Sequence, residues 1–206
     1  MIPDSYFDRF ETKKYRAKSR LKRELIRRFV SRVHALFLEA GPVTSVLEVG
    51  VGEGFLSGYL SEKLPSIRFT GVDVSESDLA KLRQKFPRVE THVANLYDVG
   101  KLPGGYDLVL CAEVLEHVDD PDRALRALVE LQPKHLLLTV PHEPWFLLSN
   151  LLRGQNLTRL GNDPEHVQLF TQRSFERLLA RHLELERVTR SYPWLLALGR
   201  PHGSSK

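Results

Sequence analysis

The sequence predicts an α/β fold: a doubly wound, mostly parallel sheet of seven strands that ends in an antiparallel C-terminal hairpin. Two observations carry this. Short apolar runs alternate with helical segments from Ser45 to Arg181, the pattern of strand–helix–strand crossovers. The last two runs, 183–189 and 194–200, follow each other directly across Ser191-Tyr192-Pro193 and so pair as a hairpin.

Taken in order, Leu21, Leu25, Ile26, Phe29, Val30, Val33, Leu36 and Phe37 recur at helical spacing with arginines between them. They predict an amphipathic helix over 17–39, ended by Gly41-Pro42. SVLEVG (45–50) is a short buried strand running into a glycine loop, and 55–64 is a helix that stops at Pro65. A second strand covers 67–75, and a helix over 76–86 is stopped by Pro87. The third strand is 89–96 and the fourth 106–114. Asp119-Asp120-Pro121 then supplies the acids and proline of a helix N-terminus. HLLLTVP (135–141) is the fifth strand, and Thr171 caps a helix that runs to about Arg181.

At 206 residues with 42% hydrophobic content, the chain suits one domain with a sizeable core, 41–206, preceded by a basic helical segment, 1–40. The single cysteine, Cys111, excludes an intramolecular disulfide. With no signal-peptide-like start and no apolar run of about 18 residues, a soluble, cytoplasmic protein is expected. The net charge of +4 is uneven: Lys13 to Arg32 holds ten basic residues against one acid, Glu24, a segment charge of +9. Such a stretch meets phosphates or anionic lipid headgroups, or else is a solvated helix face.

Ligands of doubly wound sheets bind beyond the carboxyl ends of the strands. The first strand ends in Glu48-Val49-Gly50-Val51-Gly52-Glu53-Gly54, whose glycines permit a tight turn and close backbone approach. A dinucleotide fingerprint G-x-G-x-x-G fails at Phe55; the spacing here is E-x-G-x-G-x-G. Asp73, at the end of the second strand, can accept two hydrogen bonds from a ribose diol. Asn95, at the end of the third, is placed for an adenine edge.

With these residues the chain resembles the class I S-adenosylmethionine-dependent methyltransferases. VLEVGVGEGF, GVDVS, VANL and YDLVLCAEVLEHVDDP follow that family's order and spacing over roughly 43–200. The resemblance implies that Gly50, Gly52 and Gly54 face the methionine portion of S-adenosylmethionine, that Glu48 orients the loop and that Asp73 holds the ribose. It places Asn95 and Leu96 at the adenine, with Cys111 and Ala112 lining the cofactor by backbone. Asn95 stands where many members carry Asp.

The stretch EVLEHV (113–118) offers Glu113, Glu116 and His117 on one face if it is helical. In many members a similar segment only shapes the pocket floor. In the ubiquinone-pathway O-methyltransferases and the small-RNA 3′-end 2′-O-methyltransferases, which the chain resembles here, it holds a divalent cation with a later histidine. His166 would complete that set, and two carboxylates suit Mg²⁺ or Mn²⁺. Without a metal, His166 or His142 would serve as general base. Residues 141–166 form a long substrate-side insertion. Its apolar cluster, Trp145 to Leu152, with Arg153 and Arg159 after it, reads as a wall over a small substrate, a membrane-touching lid or core packing. Together with the basic segment, 145–152 makes an amphipathic or lipid-linked substrate, and contact of 13–32 and 145–152 with an anionic membrane, an expectation. The expected activity is methyl transfer to a small-molecule oxygen. RNA methylation and a non-catalytic binding role are the alternatives; few stacking aromatics and no added module argue against nucleic acid.

Overall fold

The computed structural model describes residues 2–12, 15, 19–143 and 167–203. Among them, seven strands form one sheet: β1 (Ser45–Val49), β2 (Arg68–Asp73), β3 (Val89–Val93), β4 (Leu108–Ala112), β5 (His135–Pro141), β6 (Leu183–Ser191) and β7 (Trp194–Pro201). Their order in space is β3-β2-β1-β4-β5-β7-β6. Only β7 breaks the parallel run, lying antiparallel to β5 on one side and β6 on the other. The predicted fold class and hairpin are therefore what the chain adopts.

The strands follow the composition of their runs. β1 and β5 are buried along their whole length, as strands covered on both faces must be. Successive residues serve opposite faces. Val46, Leu108, Leu110 and Leu137 pack with α2 (Arg20–Glu39), α3 (Phe55–Lys63) and α4 (Glu76–Lys85). Leu47, Val109, Leu136 and Leu138 pack with α5 (Pro121–Glu130) and α6 (Gln172–Leu179) on the other side. β3, an edge strand, exposes Glu90, His92 and Val93.

Helix starts are set by side chains that the sequence displays. Ser75 accepts from the Asp78 amide, Asp120 from the Arg123 amide ahead of Pro121, and Thr171 forms a capping box with Ser174. The third strand stops at Val93, short of the expected 96. Asn95 takes the chain out of the sheet by capping a 3-10 turn, Leu96–Lys101.

The N-terminal segment departs most from expectation. Before α2 comes a short helix, α1 (Asp4–Phe7). Ile2, Tyr6, Phe7 and Phe10 are buried against Phe55, Tyr59 and Phe86 of α3 and the end of α4. Part of the basic excess is engaged within the chain: Arg23 pairs with Asp4 and Asp8, and Arg27 pairs with Asp4 and donates to the Ile2 carbonyl. Arg20, Arg28 and Arg32 stay exposed along α2, while Lys13, Lys14, Arg16 and Lys18 lie outside the described residues. Among the described residues, no helix is long and apolar enough to cross a membrane.

Phe7 is fully buried beneath α2 and α3, so with Ile2, Tyr6 and Phe10 it belongs to the core. Phe7→Ala should lower the free energy of unfolding by about 3–5 kcal/mol, the range for a buried Phe truncated to Ala, as measured by urea denaturation.

Candidate active site

β1 and β4 lie side by side in parallel register, Val46 opposite Leu108 through Val49 opposite Cys111. The chain leaves β1 towards β2 on one side and leaves β4 towards β5 on the other. Their loops diverge and leave a crevice at the carboxyl ends, where ligands of such sheets bind.

The glycine loop forms one wall. Gly50 has φ +76, and a Cβ there would sit 2.3 Å from Cγ2 of Val114. Glycine is thus required both by backbone conformation and by the close approach of the loop after β4. Among the described residues, nothing lies within 4 Å of where a Cβ on Gly52, at φ +52, would stand, so its backbone faces open space there. The Gly50 and Val51 amides both donate to the Val72 carbonyl (2.8 and 3.0 Å).

Three carboxylates hold this loop. Asp73 accepts from the Gly52 amide on Oδ2 (2.8 Å) and from the Ser75 amide on Oδ1 (2.9 Å), and each oxygen keeps a further lone pair. Glu48, buried under the loop, accepts from the Ser57 amide in the first turn of α3 (2.9 Å). Burial, with the nearby charge of Asp73 adding to it, raises its carboxyl to about 7 against the pull of that Ser57 bond. Glu53, the third, has no counterpart among the residues predicted for the site. Burial works against its charge too, but Lys85, Thr12 and the Glu11 amide hold it down to about 2.

The remaining cofactor candidates divide. Asn95 is exposed, with its side-chain oxygen accepting from the Tyr97 amide (2.9 Å), while Leu96 is buried. Cys111 is fully buried towards the α5 layer, and burial, then the charges of Glu116 and Glu48, push its thiol up. Ala112, the last residue of β4, is half-buried.

After β4 the chain does not turn into the helix on which a shared face of Glu113, Glu116 and His117 depends. Glu113 takes a left-handed conformation, φ +60, and Leu115–His117 is a 3-10 turn. The i, i+3, i+4 face that the spacing implies is thereby broken. Glu113 turns to the sheet, where Trp194 Nε1 donates to Oε2 (2.5 Å) and Thr139 Oγ1 to Oε1 (3.5 Å). Glu116 is buried and His117 exposed, with His117 Nε2 3.9 Å from Glu116 Oε1. Among the described residues, no three carboxylate, imidazole or thiol groups gather as a cation site. The fourth expected ligand, His166, lies outside the described residues, as do Trp145 to Leu152, Arg153 and Arg159.

Both ends of the insertion are pinned at the crevice. The His142 amide donates to the Pro193 carbonyl and the Glu143 amide to Phe170 (each 2.8 Å). The amides of Val167 and Gln168 both donate to the Glu116 carbonyl (2.9 Å). His142 is buried; that burial, then the charge of Arg190, lowers its pKa, so the imidazole is a neutral acceptor at physiological pH.

Because the folded state depresses Glu53 from its ordinary 4.5 to about 2, its contribution to stability is complete above about 4.5. It disappears as pH falls through 2. Glu53→Gln should therefore be less stable than wild type at pH 7, and the gap should close between pH 4.5 and 2 in urea titrations at stepped pH.

Residues 19–185 match the family described as "Methyltransferase domain". A ubiquinone biosynthesis O-methyltransferase from Pseudomonas paraeruginosa is 32% identical over 126 residues, 56% of this chain and 53% of that protein. The (S)-coclaurine N-methyltransferase of Thalictrum flavum is 33% identical over 107 residues, 48% of this chain and 28% of that one. The chain thus spans about half, or less, of the length of these curated relatives. Among solved structures, magnesium protoporphyrin IX methyltransferase from Synechocystis, with bound SAH, aligns with a TM-score of 0.69 at 20% identity, over 96% of this chain and 94% of that one. At that identity the likeness shows the fold.

Proposed function

We propose, for a chain that belongs to the class I S-adenosylmethionine-dependent methyltransferases, that it transfers the methyl group of S-adenosylmethionine to an oxygen of a small acceptor. The observation that supports this best is the clasp of Asp73 on the glycine loop. One carboxylate organises the loop through Gly52 and keeps acceptor capacity for a ribose diol. The open space before Gly52 and the buried Glu48 fit the same cofactor.

S-adenosylmethionine, when bound, supplies a methyl group on a sulfonium, an electrophile. The chain's own residues have two tasks. Gly52 lets the backbone approach the ligand, Gly50 and Gly54 fit the loop's left-handed turns closely against Val114 and Leu82, and Glu48 and Asp73 hold the loop's shape from below and from the side. On the acceptor side His142, neutral and fixed at the end of β5, takes the proton of the acceptor hydroxyl. His166 is the other base candidate. No step is assigned to a divalent cation, because among the described residues no three carboxylate, imidazole or thiol groups gather.

The O-methyltransferase named above supports oxygen; the N-methyltransferase makes nitrogen the competing outcome. An amphipathic acceptor or an anionic membrane surface draws support from Arg20, Arg28 and Arg32, which line α2 beside exposed Leu21.

Asp73→Ala should weaken S-adenosylhomocysteine binding by about 1.5–3 kcal/mol, the worth of hydrogen bonds to a charged group, in isothermal calorimetry. An unchanged affinity would remove the ribose assignment. His142→Gln should lower methyl transfer to a panel of catechols and amines by roughly 10²–10⁴-fold and leave cofactor affinity as it is. Chelation should leave that transfer unaltered; loss with EDTA and recovery with Mg²⁺ would bring a cation back.

A further inference from the structure

Glu53 stands in the middle of the cofactor loop, between two glycines of positive φ, yet it is only 5% exposed. Its carboxylate accepts from the Glu11 amide (3.1 Å), the Thr12 amide (2.9 Å), the Thr12 hydroxyl (2.6 Å) and the Lys85 ammonium. Neighbouring loop residues are held from the same side. The Tyr15 ring stacks on Phe55 with centroids 3.8 Å apart and planes 2° from parallel, and the Tyr6 hydroxyl donates to the Phe55 carbonyl (2.8 Å). Glu11 in turn pairs with Lys81 of α4 (2.9 Å), and Arg9 lies over Phe86 while pairing with Glu62 of α3. The loop is thus pinned at successive points: Gly52 by Asp73, Glu53 by Glu11, Thr12 and Lys85, and Phe55 by Tyr6 and Tyr15.

A glycine-rich loop has many conformations to lose, and a ligand that binds one of them loses affinity in proportion to how seldom that one is populated. An external clamp that selects the conformation removes that cost. We propose that Glu53, with Glu11 and Thr12, positions the glycine loop for S-adenosylmethionine, so that docking of the N-terminal segment and binding of the cofactor are coupled. The inference rests on the cofactor reading above. Coupling is reciprocal: what the docked segment does for cofactor affinity, the cofactor does for docking of the segment.

Two measurements on the 206-residue chain test it, with S-adenosylhomocysteine as the probe. In calorimetry, Thr12→Val removes the hydroxyl donor and keeps the amide, and should weaken binding by roughly 10-fold. Thr12→Ser should restore wild-type affinity, and Glu53→Gln should weaken it at least as much as Thr12→Val. In hydrogen exchange, the amides of Glu11 and Thr12 in the wild type should exchange more slowly once the probe saturates the protein. If Thr12→Val and Glu53→Gln bind as tightly as wild type, whatever their melting temperatures, and the two amides exchange equally with and without the probe, the segment is core packing and the proposal fails. If the wild type does not bind the probe at all, the cofactor reading itself fails.

Discussion

The parallel pairing of β1 with β4 is the constraint on which the rest depends. Once these two strands are neighbours, β2 and β3 must build outward on one side and β5, β7 and β6 on the other. The loops leaving β1 and β4 then diverge, and the crevice between them is a consequence of connectivity. At the opposite end of the same pair, Asp107 accepts from the amides of Thr44 and Ser45 and from the Thr44 hydroxyl, and pairs with Lys134. That carboxylate ties the starts of β1, β4 and β5 together, leaving the carboxyl ends to carry the site.

Buried carboxylates recur in this fold, and the donors around each decide its charge. Asp107 and Glu53 are desolvated, but several amides, a hydroxyl and a lysine face each of them and hold both well below the usual carboxylate range. Glu48 is buried more deeply against the single Ser57 amide and near Asp73, and its carboxyl rises to about 7. The same side-chain chemistry thus yields two permanent anions and one group that titrates near neutrality, directly beneath the cofactor loop. The difference follows from counting donors against desolvation.

The two sides of the crevice are built differently. The cofactor side is a closed hydrogen-bonded arrangement of loop, Asp73, Glu48 and the N-terminal segment. The side beside β4 and β5 is organised by the hairpin: Pro193, just before β7, receives the His142 amide and Trp194 holds Glu113. Trp194 also packs against Phe29 of α2, ring centroids 4.8 Å apart, so the hairpin joins the ends of β4 and β5 to the long helix. Glu113 keeps its left-handed conformation, which costs about 1–2 kcal/mol for an L-residue, because the sheet grips both its carboxylate and its amide.

The sequence by itself determined the elements and which residues gather at the carboxyl ends of the strands. Apolar runs marked the strands, Ser75, Asp120 and Thr171 marked helix starts, and Glu48, the glycines and Asp73 followed from their places at strand ends. These are local signals, carried by residues a few positions apart, and strand ends gather wherever a parallel sheet forms. Only the tertiary structure decided how EVLEHV folds and where residues 2–12 pack. Spacing put Glu113, Glu116 and His117 on one helical face, but Trp194, 81 residues away, draws Glu113 to the sheet. The spacing assigned Glu53 no role, because Thr12, 41 residues upstream, meets it only in the folded chain. A periodicity reports what a residue's neighbours in sequence can do; it carries no record of a partner that only the folded chain delivers.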